Sequence, residues 1–362
     1  MLERILFDCT TLFFHKGPPV GISRVIESYF SIWRASSFVE NVVFLQEESA
    51  FYFIGSDFSL KEKVSFKEND ILVNMGCAWD YVGLNDVIRK LKQSNGLKFI
   101  QLVHDVIPFK YPYYIQSEAC DNYTRWFVDM LSVCDGVLTI SKSTERDLRN
   151  LCASAGIDMP RSEVIRYGDG LILSVEDICQ RSPPFALSVG TLEYRKNQIL
   201  LVNVWRKLIQ SGLEGLPELI LAGKDGWMNQ NIVRIISTDK TLNGKIKVVE
   251  NSSDDLLGAL YSSCEFTLYP SLYEGWGLPI SESLCFGKIC LASDTSSMIE
   301  VAPGFVVHLD PFDIDAWTQQ ISRLILDREY RARLQSKVEQ YVPALWDKSA
   351  QLVIEKIKAI AH

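Results

Sequence analysis

The sequence predicts a parallel α/β protein built from two doubly wound halves, and three observations carry that prediction. Short β-rich runs alternate with stretches of helical period, which is the pattern of a parallel sheet with helices on its faces. The alternation stops between Tyr167 and Pro184, where Gly168, Asp169, Gly170, Pro183 and Pro184 read as an interdomain connection, and then restarts. The chain has 362 residues, about twice the ~100 to 200 of one domain. Hydrophobic residues at 47%, charged residues at 23% and a mean hydropathy of +0.05 describe chains that bury large cores.

In the first half, Arg4 to Phe7 reads as a strand and Gly21 to Ala35 as a helix, with Val25, Ile26, Tyr29, Phe30 and Trp33 at helical spacing. Strand Asp70 to Asn74, helix Leu84 to Leu91, strand Lys98 to Val103, helix Tyr123 to Val133 and strand Gly136 to Ile140 follow. Ser141 caps a helix running to Ala153, with Glu145 close behind, and strand Glu163 to Arg166 closes the series. The second half gives strands Phe185 to Val189, Glu218 to Ala222, Ile246 to Val249, Phe266 to Tyr269 and Ile289 to Ala292. Its helices are Asn197 to Gln210, Asp254 to Ser262 and Ile280 to Phe286. Ser349 to Ala359 forms a last amphipathic helix, with Leu352, Val353, Ile357 and nearby Ile360 on one face and Trp346 as its anchor. The expected domains are therefore 1–180, 181–342 and a helix at 343–362 that either packs on the first domain or mediates dimerisation.

Charge and cysteine usage narrow the function. A net charge of −8, without a dense Lys/Arg block, argues against nucleic acid, whose phosphates require a basic face. Nine scattered cysteines with no C-x-x-C pair read as reduced core thiols. Glu3, Arg4 and Asp8 around a short apolar run read as a strand and not as a signal peptide, and no run reaches the ~18 apolar residues of a membrane span. A cytoplasmic protein is expected, with membrane association only at the periphery.

In open parallel sheets ligands sit beyond the carboxyl ends of the strands. Strand Phe266 to Tyr269 runs into Pro270, then Glu274, Gly275, Trp276, Gly277, Leu278 and Pro279, and then a helix with Glu282 placed in its first turn. The glycines let the backbone approach a ligand, Pro279 suits the first helical position, and the free amides make an anion seat. Glu274 and Glu282 would repel phosphate and fit hydroxyl groups instead. Hydroxyls around a phosphate describe a nucleotide sugar. The plainer alternative is that Glu282 complements the helix dipole and the glycines only shape a turn. Strand Phe185 to Val189 runs into Gly190, Thr191, Leu192, Glu193, Tyr194, Arg195, Lys196 and Asn197. Two adjacent cations at a helix start call for a compensating anion, and a diphosphate would serve; a solvated surface pair is the alternative.

The run Ser271 to Glu282, SLYEGWGLPISE, with seven residues between its two outer glutamates, resembles the hallmark of retaining glycosyltransferases of family 4, which have the GT-B fold of two facing Rossmann-like domains. VGTLEYRKN at Val189 to Asn197, LILAGKDGW at Leu219 to Trp227 and SSDDLLGALYSSC at Ser252 to Cys264 extend the resemblance. HDVIPFKYP at His104 to Pro112 and SKSTERDL at Ser141 to Leu148 carry it into the first half, and GISRV at Gly21 to Val25 resembles the family's glycine loop. It implies that Lys196, with Arg195, holds the donor diphosphate and that Glu282 binds the ribose. Glu274 and the amides of Trp276, Gly277 and Leu278 would hold the transferred sugar and its phosphate, and His104 would stand near the reacting carbon. Gly21 and Gly190 would let phosphate approach. Thr191 stands where the family often has Arg, which shifts phosphate binding onto Arg195 and Lys196. Catalysis is thus assigned to His104, Lys196 and Glu274, without a metal or other cofactor.

The resemblance extends to bacterial mannosyltransferases of surface-polysaccharide assembly. It implies a hexose, best read as mannose from GDP-mannose, passed to a glycan or lipid-linked oligosaccharide acceptor, with assembly beside other polysaccharide enzymes left open. The alternatives are a UDP-hexose or a dTDP- or GDP-deoxyhexose such as rhamnose as donor, or a non-catalytic nucleotide-sugar-binding protein. A nicotinamide dehydrogenase lacks its G-x-G-x-x-G after the first strand. Asp313, Ile314 and Asp315 spell a D-x-D but sit at a helix start, which suits a cap better than a metal. His15, His104, His308 and His362 have no paired spacing for a transition metal. Arg89, Lys90 and Lys92 read as a helix's wet face, and Phe109, Tyr111, Tyr113 and Tyr114 as core that borders the acceptor side.

Overall fold

A computed structural model describes residues 4–17, 19–170, 184–224, 226, 230–250 and 253–362. Most of the connection at 167–184, with Pro183, lies outside them, as do Asp225 and Trp227 of the LILAGKDGW run and Ser252. The chain divides into two compact units, Met1–Gly168 with Ala344–His362, and Asp169–Pro343.

The first unit holds strands β1 (Ile5–Asp8), β2 (Val39–Leu45), β3 (Ala50–Ile54), β4 (Leu60–Lys63), β5 (Ile71–Asn74), β6 (Lys98–Val103), β7 (Gly136–Thr139) and β8 (Arg161–Val164). They lie in the order β4-β3-β2-β1-β5-β6-β7-β8, with β1 parallel to both β2 and β5. The central strands are almost wholly buried, as expected of parallel strands covered on both faces. β2, β3 and β4 were not anticipated, and the last two form the edge of the sheet. They pair antiparallel with their neighbours, and all four residues of β4 are exposed, so its two lysines blunt an open edge.

Ser141 caps the helix Lys142–Ala155 by accepting from the Thr144 amide at 3.0 Å. The helix Ser117–Val133 begins six residues before the expected Tyr123, and β8 begins two before the expected Glu163. The last helix, Trp346–Ala361, buries Val353, Ile357 and Ile360 on β7, β8 and the helix Ile22–Trp33. Ser349 Oγ lies 2.8 Å from Tyr29 Oη, and the Trp346 ring packs against Tyr29 at 5.5 Å and Tyr167 at 6.1 Å.

The second unit is a wholly parallel sheet of β9 (Phe185–Val189), β10 (Glu218–Ala222), β11 (Ile246–Val249), β12 (Phe266–Tyr269), β13 (Cys290–Ser293) and β14 (Val307–Leu309). Its order is β11-β10-β9-β12-β13-β14. β9 comes first in the chain yet lies in the middle, so successive strands leave it first on one side and then on the other. The reversal opens a crevice at the carboxyl ends of β9 and β12.

Helix Ile314–Leu326 is capped by Asp313, whose carboxylate accepts from the Ala316 amide at 2.9 Å, while Asp315 pairs with Lys207. The D-x-D is therefore a cap and an ion-pair partner. His308, in β14, stands 3.2 Å from the Met298 carbonyl through Nε2. The eight described cysteines are all free thiols.

Candidate functional site

The crevice of the second unit gathers the charged residues picked out in the sequence. Arg195 and Lys196 end a short 3-10 turn, Tyr194–Lys196, just beyond β9, and Glu274 lies on the loop after β12. Lys196 Nζ donates to Glu274 Oε1 at 2.7 Å and to Tyr269 Oη at 3.1 Å, using two of its three donors. Arg195 donates to Glu274 Oε2 at 2.6 Å, to the Tyr273 carbonyl at 2.9 Å and to Glu193 Oε1 at 2.6 Å. The compensating anions of the cationic doublet are therefore the protein's own carboxylates, Glu193 and Glu274, and an incoming diphosphate would share Lys196 with Glu274. This corrects the expectation that the doublet needs a ligand for balance: residues distant in sequence supply the opposite charge.

Glu274 is only 7% exposed. Burial pushes its carboxyl up, but Arg195 and Lys196 beside it outweigh that and hold it down at about 2. It is an anion at any physiological pH.

The backbone around Glu274 is tied from a second loop. Its amide donates to Ser296 Oγ at 2.9 Å, while Ser297 Oγ donates to the carbonyls of Glu274 at 2.9 Å and Trp276 at 2.6 Å. Gly277 has φ of 130°, a conformation that favours glycine, and it starts the helix Leu278–Cys285 with no side-chain cap. Gly277 thus has no side chain to compete for the amides of that first turn. Pro279 is the second helical residue, one later than expected.

Glu282 is likewise one turn into that helix and not in its first turn. It is 2% exposed, and its Oε2 accepts from Tyr261 Oη at 2.8 Å. On the other side, the Gly190 amide donates to the Ala222 carbonyl at 2.9 Å, and the Thr191 carbonyl accepts from Gln198 at 2.9 Å. A Cβ at Gly223 would stand 2.0 Å from the Gly190 carbonyl oxygen, so the loops after β9 and β10 touch backbone to backbone.

His104 and Gly21 belong to the first unit, and the other predicted site residues to the second. Gly21 starts the helix Ile22–Trp33. His104 follows β6, with Nε2 2.9 Å from the Met75 carbonyl and Nδ1 2.9 Å from Tyr167 Oη. The carbonyl requires a donor, which puts the proton on Nε2 and leaves Nδ1 to accept from Tyr167. Burial lowers the imidazole to about 4, with the Met75 hydrogen bond opposing, so the ring is neutral. Nearby, at the ends of β1 and β5, the buried Asp8 carboxylate accepts from Asn74 Nδ2 at 2.6 Å and from the Thr10 amide at 2.9 Å. Arg89 pairs with Asp86 and Asp129, and Lys92 with Asp135, so the basic run is not simply a solvated face. Phe109 packs on Phe127 and Tyr111 stacks on Tyr114, while Tyr113 is 62% exposed.

The partners Tyr269, Tyr261, Glu193, Ser296 and Ser297 were missed. Tyr269 and Glu193 had a legible signal, as the last residue of a strand and as a member of the loop beyond one. Tyr261 and the two serines act through tertiary contacts alone. Among the described residues no group of three or more His, Cys, Asp or Glu side chains is arranged to hold a metal, and no helix is long and apolar enough to cross a membrane.

Residues 179–341 match the family model described as glycosyl transferases group 1. The O-antigen chain mannosyltransferase B of Escherichia coli is 28% identical over 251 residues, 63% of this chain and 61% of that protein. The serotype-specific mannosyltransferase WbdA of Escherichia coli is 24% identical over 71% of this chain and 33% of its own length. The chain therefore spans about 61% of one of these relatives and a third of the other. Among solved structures, sucrose-phosphate synthase from Thermosynechococcus elongatus superposes with a TM-score of 0.71 at 17% identity over 99% of both chains. Anabaena HepE, in complex with UDP and glucose, gives 0.69 at 15% identity over 99% of this chain and all of that one. The fold is thus GT-B, two Rossmann-like domains built on parallel sheets.

Proposed function

We propose that the chain, whose residues 179–341 match the family model described as glycosyl transferases group 1, is a glycosyltransferase that moves a hexose, mannose from GDP-mannose, onto a glycan or lipid-linked oligosaccharide of a bacterial surface polysaccharide. The observation that carries the reading is the cluster of Arg195, Lys196 and Glu274 beside an uncapped helix start at the crevice of a parallel sheet. The mannosyltransferase relatives support the sugar and the acceptor class, and a cytoplasmic location with membrane association only at the periphery suits such an acceptor.

The reaction breaks the bond between the sugar's anomeric carbon and the diphosphate oxygen and forms one to an acceptor oxygen. Negative charge grows on the leaving diphosphate, where Lys196, Arg195 and the amides of Gly277 and Leu278 stabilise it more in the transition state than in the ground state. In this reading the acceptor's proton passes to the departing phosphate on the same face, retaining anomeric configuration, and neither a metal nor an enzyme nucleophile takes part. Glu274, permanently ionised, keeps the two cations in place and offers its remaining lone pairs to sugar hydroxyls. Glu282 would bind the ribose. His104 of the first unit is neutral and would act as a hydrogen-bonding group and not as a cation.

Thermal shift with GDP, UDP and dTDP tests the donor, since a ligand at ~100 times its Kd adds about 2.7 kcal/mol. GDP should give the largest rise. Mass spectrometry of products from a panel of nucleotide sugars and glycan acceptors then tests the transfer, and no product with any pair would sink it.

A further inference from the structure

Lys196 carries its charge on a flexible four-carbon stem, and a cation already held in place meets a diphosphate without a further ordering cost. The stem runs past Gly190, where a Cβ would stand 3.6 Å from its Cδ and Cε. The head has two partners of different kinds: Glu274 Oε1 on the loop after β12, and Tyr269 Oη on the strand itself. We propose that Tyr269 is a positioning residue of the diphosphate site, its hydroxyl fixing the Lys196 ammonium where the donor's leaving group is received. The identity of that ligand rests on the transferase reading above.

Geometry separates the hydroxyl from the ring. Lys196 Nζ is 5.3 Å from the Tyr269 ring centre but 3.1 Å from Oη, so the oxygen lone pair and not the π face makes the contact. Tyr269 is 4% exposed and its backbone is in register with Ala292 on β13, so the sheet anchors the phenol. Glu274 rides on a loop and divides its carboxylate, Oε1 to Lys196 and Oε2 to Arg195. A carboxylate alone would let the ammonium swing about one oxygen, whereas a second acceptor on a rigid element defines one position. The other hydrogen-bonding neighbours of the phenol are Glu274 and Ser271. Burial, with the Glu274 charge beside it, pushes the phenol well above its ordinary value, so it stays neutral and able to accept. A neutral acceptor adds no negative charge to oppose a diphosphate. Glu274 thus balances the charge of Lys196, and Tyr269 sets its place.

A double-mutant cycle on the full chain tests the proposal, read by calorimetric titration with GDP, or with UDP or dTDP where one of those binds the wild type more tightly. Tyr269→Phe keeps the ring and deletes only the hydroxyl. The variant should fold and should bind the nucleoside diphosphate roughly three- to tenfold more weakly. In a Lys196→Ala background the same substitution should change binding less than about twofold, because the hydroxyl then has no ammonium to hold. A structural role would give the same loss in both backgrounds. A loss below about twofold with Lys196 present, an equal loss in both backgrounds, or a Tyr269→Phe protein that does not fold would overturn the proposal. Those outcomes remove it alone, whereas a wild type that binds none of the three nucleotides removes it together with the transferase reading.

Discussion

Beyond the ends of β9 and β12, Arg195 and Lys196 meet Glu193 and Glu274; beyond β1 and β5 in the other unit, Asp8 meets the neutral Thr10 and Asn74. Both places are switch points of a parallel sheet, where the topology supplies a crevice. They differ in how the buried acid is treated. Glu274 has two cations that more than offset its burial, whereas burial pushes the Asp8 carboxyl up against its hydrogen bonds from Thr10 and Asn74. Topology places a site, and charge decides its ligand: a crevice with fixed cations suits phosphates, and a neutral one suits hydroxyls.

The sharpest way to break this comparison is to remove Glu274. Glu274→Ala leaves Arg195 and Lys196 together with one partner fewer in a partly buried setting, and should cost about 3 to 5 kcal/mol of stability. Chemical denaturation measures it, and a loss below ~1 kcal/mol would show that the charges are solvated. Next in size, Lys196→Ala leaves Glu274 neutralised by Arg195, so the fold should persist while turnover falls about a hundredfold, roughly 3 kcal/mol in the barrier. Near-normal turnover would remove Lys196 from the phosphate site.

Acid separates the two units more gently. His104 falls from an ordinary 6.5 to about 4, so between those values the unfolded chain holds more protons. Stability from the neutral ring is therefore complete above pH 6.5 and lost as pH falls toward 4. Glu274 falls from 4.5 to about 2, so its contribution is complete above pH 4.5 and lost below it. His104→Gln should flatten the decline of Tm between pH 6.5 and 4 and leave the region below pH 4 unchanged; an unaltered upper slope contradicts the assignment. The smallest effect is Asp313→Ala, expected to cost ~1 kcal/mol as a lost helix cap with turnover unchanged. A collapse of activity would restore a metal reading to the D-x-D.

Those predictions draw on features unequally visible in the sequence. The strands that frame the crevice, β9, β10 and β12, were legible to the residue because buried parallel strands read as continuous apolar runs ended by Gly or Pro. The doublet Arg195–Lys196 was legible as a charge anomaly after a strand. Its pairing with Glu274, 78 positions away from Lys196, was not, since no local pattern links two loops that only the sheet order brings together. The hairpin of β3 and β4 escaped for a different reason: LKEK has the composition of a loop, and only its neighbour across the edge makes it a strand.

One feature of the first unit also bears on synthesis. Its sheet is covered by a helix, Trp346–Ala361, that follows the whole of the second unit in the chain, and Ser349 and Trp346 close on Tyr29 and Tyr167. On a ribosome, the continuous stretch 169–343 has all its own parts before the earlier-made stretch has received its final piece. The half translated first is thus the half completed last, and until then it exposes the apolar strip that Val353, Ile357 and Ile360 later cover.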